Sequence, residues 1–90
     1  MKRRAPRSDL GLALRDEFAR NVRHFRTLRG LTQHELSVAA GLSRSFISQI
    51  ERGRFSVTLE TIGALSVGLG IAPAELVRIA GETLGAWPGS

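Results

Sequence analysis

The stretch from Leu31 to Gly53 constrains this chain most, because it reads as two short helices joined by one sharp glycine turn. Thr32 can accept a bond from the backbone of Glu35, and the Glu35 side chain can return one to Thr32, the reciprocal pattern that starts a helix. Leu36, Ala39 and Ala40 then line one face of a helix about two turns long. Gly41, the residue best able to take a positive φ, ends it. Leu42 fills the turn and the Ser43 hydroxyl can cap a second helix. Along that helix Ile47 and Ile50, three apart, face inward, and Gly53 stops it. Arg44, Ser45, Ser48, Gln49 and Arg52 are left on the outer side. They offer hydrogen-bonding groups rather than the Lys and Glu that usually solubilise a helix.

A helix, a glycine turn and a second helix with a donor-rich outer face together describe a DNA-binding helix-turn-helix, whose second helix enters the major groove. The residues Thr32-Gln33-x-Glu35-Leu36 and Gly41-Leu42-Ser43-Arg44-Ser45-x-Ile47-Ser48-x-Ile50-Glu51-Arg52-Gly53 resemble the Xre-type helix-turn-helix family of phage repressors, Cro and related regulators. The likeness continues through Leu59-Glu60-Thr61-Ile62 and Leu69-Gly70-Ile71 to Leu76, so it covers residues 18 to 78. It implies an all-α, compact five-helix domain of the lambda-repressor type. Ser37 stands where the family usually has Ala, but it is small enough to keep the two motif helices close.

Composition agrees with a nucleic-acid partner. Residues 1–54 hold 12 basic and 5 acidic side chains, hence +7, whereas residues 55–90 hold 1 and 3, hence −2. The basic half is the half that carries the motif. Twelve of the 13 basic residues are Arg, whose guanidinium fork suits phosphate and guanine. A GC-rich genome would also favour Arg over Lys, but it would not produce the asymmetry. Ninety residues suffice for one small core. The chain has no Cys, so disulfides and thiolate metal sites are excluded. No apolar run approaches bilayer length, and the basic start is not followed by a signal-type apolar segment. The expectation is a cytoplasmic, nucleoid-associated protein with no membrane partner.

Taken in order, residues 1–14 read as a basic N-terminal arm, either a strand of phosphate contacts or a solubilising tail. Ser8-Asp9 could cap a partly helical continuation through Leu10, Leu12 and Leu14. The domain proper reads as residues 15–81. From Asp16 onward Phe18, Val22, Phe25 and Leu28 recur near helical spacing until Gly30. After the motif, Phe55–Thr58 reads as a loop with Thr58 as the next N-cap. Leu59, Ile62, Leu65 and Leu69 make the apolar stripe of a fourth helix ending at Gly70. Gly63 and Gly68 interrupt that helix, which close packing against a neighbour would explain. Pro73 at the first turn and Glu75 at the positive helix end start a fifth helix, with Leu76, Val77 and Ile79 as its apolar surface and Gly81 as its stop. Residues 82–90 read as a flexible tail containing Trp87. No internal repeat is visible, and no second domain for a small-molecule effector is expected.

On the second motif helix Ser45, Gln49 and Arg52 share a face at i, i+4, i+7, with Arg44 and Ser48 beside them. Arg can grip guanine O6 and N7, Gln can pair with adenine N6 and N7, and Ser can bond either. Arg44, Ser45, Ser48 and Gln49 are therefore the candidate base readers, and the resemblance places base contacts at the same positions. The resemblance places phosphate contacts at Thr32, Gln33 and Arg54, and Ser43 and Arg52 join them as candidate phosphate ligands. The resemblance also implies an ion pair between Arg26 and Glu51. Phe46 is expected to be partly buried. His24 and His34 have no acidic or thiol companion at ligand spacing, so no metal or cofactor is expected. Nor is there a glycine-rich phosphate loop, a nucleophile elbow or a carboxylate pair in an apolar setting, which argues against an enzyme.

The expected function is that of a sequence-specific DNA-binding transcriptional regulator, working as a homodimer on a pseudo-palindromic operator. One recognition helix covers too few base pairs to be selective alone. The surface offered for the dimer is Ile71, Val77 and Ile79, with Trp87 folding back. Size and the run Arg44–Gly53 are similar to the controller proteins of restriction-modification systems. The alternative is an antitoxin or protein-interaction module on the same fold. It would expose aliphatic and aromatic anchors where this chain offers Arg, Ser and Gln.

Overall fold

The computed structural model describes residues 6–79, with side chains from Leu10 onward. Gly81 and Trp87, and the basic residues 1–5, lie outside the described residues. Within them the chain forms five helices and no strand: α1 (Pro6–Leu28), α2 (Gln33–Ala40), α3 (Arg44–Glu51), α4 (Leu59–Leu69) and α5 (Pro73–Leu76).

The first helix begins ten residues earlier than the Asp16 start read from the apolar spacing, so Ser8 and Asp9 lie inside it rather than capping it. Pro6 is its first helical residue, where a missing N–H removes no helical bond. Nothing between Pro6 and Leu28 is a strong breaker, and Gly11 weakens the helix by only about 1 kcal/mol relative to Ala. The early turns bury little, with Leu12 and Leu14 46% and 41% exposed. Apolar periodicity is therefore a poor guide to where this helix starts.

Phe18 and Val22 of α1, Leu36 of α2, Ile47 and Ile50 of α3, Leu65 and Leu69 of α4 and Leu76 of α5 form one core. Three residues expected to face it do not. Leu28 lies in the last turn of α1 and is 67% exposed, Ala39 is exposed, and Leu59 is 82% exposed. At about 100° per residue Leu59 is turned roughly 60° from Ile62 and 120° from Leu65, so it leaves the stripe that those residues share with Leu69.

Glycines inside α4 divide. A Cβ on Gly68 would stand 3.0 Å from the Ala40 Cβ and 3.1 Å from its backbone nitrogen, so α4 and α2 touch closely there. A Cβ on Gly63, for which the same explanation was expected, would meet no other part of the described chain within 4 Å.

The fifth helix is a single turn that stops at Leu76, not at Gly81. Asn21 of α1 explains the stop: its Nδ2 donates to the carbonyls of Leu76 and Arg78, both at 2.9 Å, taking acceptors that a continuing helix would use. Ile71 and Ile79 are partly buried, and Ile71 packs on the core, whereas Val77 is 46% exposed.

Candidate nucleic-acid interface

The caps of the two motif helices set the angle between them. Thr32 Oγ1 accepts from the Glu35 N–H at 3.0 Å, and Glu35 Oε1 accepts from the Thr32 N–H at 2.8 Å. At the other end Gly41 takes φ 70°, and the Leu42 N–H reaches back to the Ser37 carbonyl at 2.9 Å. A left-handed residue is needed to fold the chain back this sharply. Ser37 is buried, with its hydroxyl donating to the His34 carbonyl at 2.6 Å, so a small residue with a local bond partner sits where the helices approach. Ser43 then caps α3 by accepting from the Phe46 N–H at 3.0 Å.

These caps leave α3 strongly two-sided. Ile47 and Ile50 are buried. Arg44 and Ser45 are exposed, Ser48 and Gln49 are half-buried, and Arg52 is exposed just past the helix end. All five line one polar depression together with Gln33 of α2. A second depression, bounded by Arg26, Thr32, Gln33, His34 and Arg44, adjoins it through Gln33 and Arg44. The starts of α2 and α3, each with free N–H groups and partial positive charge, thus border one surface. Among the described residues Arg44, Arg52 and Arg54 form no ion pair. Arg54 is held by its backbone, which follows Gly53 at φ 71° and donates to the Gln49 carbonyl at 3.1 Å.

Behind this surface lies an ion pair that fixes the pose of α3. Arg26 Nε donates to Glu51 Oε2 at 2.6 Å and its Nη2 to Oε1 at 3.0 Å, a two-pronged bond. The Glu51 side chain is 5% exposed and that of Arg26 17%. Arg26 Nη1 also donates to the Leu31 carbonyl at 2.9 Å. The bond to Glu51 raises the Arg26 pKa above the usual guanidinium value; desolvation opposes it and the attraction of the carboxylate adds to it.

Gln33, read as a phosphate ligand, has its amide against Glu51 Oε1 at 3.0 Å. One amide hydrogen is thereby engaged inside the protein. The sequence reading missed this role, because the partners lie 18 residues apart and neither type demands the other. It also missed Arg29, whose Nη2 donates to the Gly70 carbonyl at 3.0 Å. Phe46 is half-buried, edge-on to Phe55 at 5.4 Å between ring centres. His24 stacks edge-on with Phe25, His34 is exposed, and no group of three potential metal ligands occurs among the described residues.

Residues 22–76 match the family model described as Helix-turn-helix, HTH_3. A hypothetical transcription factor of Neisseria meningitidis serogroup B is 38% identical over 64 residues, which are 71% of this chain and 60% of that protein. The chain thus spans less than two thirds of that relative. Control protein C.SmaI of Serratia marcescens is 33% identical over 64 residues, 71% of this chain and 76% of that one. Among solved structures, the restriction-modification controller protein C.AhdI of Aeromonas hydrophila superimposes with a TM-score of 0.67 at 39% identity, covering 69% of this chain and 94% of that one.

Proposed function

The chain belongs to the Xre-type helix-turn-helix family of transcriptional regulators, and we propose that it binds a pseudo-palindromic operator as a homodimer, with α3 in the major groove. Arg44, Ser45, Ser48 and Gln49 read bases, while Thr32, Ser43, Arg52, Arg54 and the remaining amide hydrogen of Gln33 hold phosphates. The observation that carries the reading is the outer face of α3. Arg44 at its start and Arg52 and Arg54 just past its end have no carboxylate partner among the described residues, and the helix is held by the part-buried Arg26–Glu51 pair. Unpaired guanidinium groups at both ends of an anchored helix suit guanine edges and phosphates. Residues 1–14 carry further cations that can follow the backbone, and the working location is the cytoplasm, on the nucleoid.

The similarity to C.SmaI and C.AhdI narrows the proposal to a controller-type regulator. Selection of bound duplexes from random DNA tests the reading directly. It should return one motif with two inverted half-sites spaced about one helical turn apart, ~34 Å. Recovery of no shared motif would overturn sequence-specific binding. A motif without inverted symmetry would overturn the homodimer.

A further inference from the structure

We propose that the outer face of α4 is the seam on which a second copy of this chain docks, the two α4 helices running antiparallel and crossing at Gly63. This deepens the homodimer reading and rests on it. Leu59, Gly63 and Val67 are spaced four apart and so lie on one side of the helix. Leu59 is 82% and Val67 79% exposed, the two most exposed large hydrophobics among the described residues. Between them stands a glycine in a helix interior, where it weakens the helix. For Gly68 the contact with Ala40 explains the missing side chain; for Gly63 no atom of another part of the described chain lies within 4 Å of where a Cβ would be. A glycine flanked by two exposed aliphatics is what a close helix crossing uses.

The occupant is a second copy because this face is self-complementary. A two-fold axis through Gly63 sets Leu59 of each copy against Val67 of the other, so every contact occurs twice. Charge completes it. Glu60, in the first turn of α4, is exposed and forms no ion pair among the described residues. Arg29 lies at the opposite end of the same helix, bonded to the Gly70 carbonyl and likewise without a carboxylate. Antiparallel α4 helices bring Glu60 of one copy toward the partner's Arg29 end, twice over. The seam differs from the one read from sequence: Ile71 packs against the core, and Val77 borders a separate groove with Leu14 and Phe55.

Sedimentation equilibrium of the full chain decides, with four samples: wild type, Val67→Glu, Gly63→Ala and Val77→Glu. The wild type should dimerise at micromolar concentration. Val67→Glu should weaken the dimer by about 30-fold or more, as loss of a central anchor does, and Val77→Glu should leave it unchanged. Gly63→Ala should act in two directions. It should raise the thermal midpoint of the dilute monomer by roughly 4–8 °C, since alanine strengthens a helix with open space beside it, yet weaken the dimer because the Cβ stands in the crossing. A dimer that survives both α4 substitutions would overturn the seam and leave the homodimer standing. A wild type that stays monomeric at high micromolar concentration, with and without DNA, would overturn the homodimer itself.

Discussion

Replacing Arg26 by Met leaves the Glu51 carboxylate with one hydrogen bond, from Gln33 Nε2 at 3.0 Å, in a place where its side chain is 5% exposed. Breaking a buried pair this way typically costs 3–5 kcal/mol, because the stranded charge loses its partner and does not regain water. The remaining bond from Gln33 and the partial exposure of the site favour the lower end, about 3 kcal/mol. For a domain this small 1 kcal/mol moves the midpoint by roughly 4–8 °C, so the expected drop is about 12–24 °C. Glu51→Gln should cost less, because the amide keeps an acceptor for Arg26 and Arg26 keeps the Leu31 carbonyl. The decisive sample is the double variant Arg26→Met/Glu51→Met. With both charges gone, well-packed apolar side chains should recover most of the loss, giving a coupling of about 2 kcal/mol between the sites. Thermal unfolding followed by circular dichroism provides all the numbers. The reasoning is refuted if Arg26→Met lowers the midpoint by less than about 4 °C, or if the double variant loses the sum of the two singles.

Arg44→Ala and Gln49→Ala should each cost roughly 1–3 kcal/mol on the selected operator and much less on unrelated DNA, whereas Arg54→Ala should weaken both duplexes alike and flatten the salt dependence. Titrations on two duplexes at several salt concentrations separate these; equal losses on both for Arg44→Ala would remove it from the base readers. Gly68→Ala should destabilise by about 1–3 kcal/mol despite better helix propensity, because Ala40 backbone atoms block the new methyl; an unchanged or raised denaturant midpoint would contradict the α2–α4 contact. Thr32→Ala should cost about 1 kcal/mol in thermal stability through the lost cap, and no loss would mean that the Glu35 side chain caps alone.

The motif was legible in the sequence because its signals are local. Thr32 with Glu35, Gly41, and Ser43 each act on backbone within a few residues, so composition and spacing fixed the two short helices before any tertiary contact was known. The start of α1 and the end of α5 were not legible, for opposite reasons. The early turns of α1 bury little, so no apolar stripe marks them, while α5 is cut short by Asn21, which is 55 residues from Leu76 in the chain. The outer face of α3, proposed to read bases, could be named because inward Ile47 and Ile50 leave only one way for Arg44, Ser48 and Gln49 to point. The engagement of Gln33 could not, since a polar residue at a helix start looks the same whether it meets a phosphate or a buried carboxylate.

Glu51 accepts from α1 through Arg26 and from the start of α2 through Gln33, so one buried carboxylate joins the three helices that surround the proposed interface. A rotation of α3 would have to break both bonds, whereas its exposed side chains Arg44 and Ser45 are not held in this way. On the proposed reading the cost of ordering falls unevenly among the readers. Exposed Arg44 must give up rotamer freedom to grip a base, which costs ~1–1.5 kcal/mol for a long side chain. Ser48 and Gln49, already half-buried against their neighbours, lose less. Discrimination between similar operators should therefore be steepest at the bases opposite Ser48 and Gln49 and shallower at the base opposite Arg44, and affinity common to many sites should come from the arginines past the helix end. Mismatch scanning of the selected operator would show this as a steep penalty at the Ser48 and Gln49 positions, and a uniform penalty across the half-site would refute it.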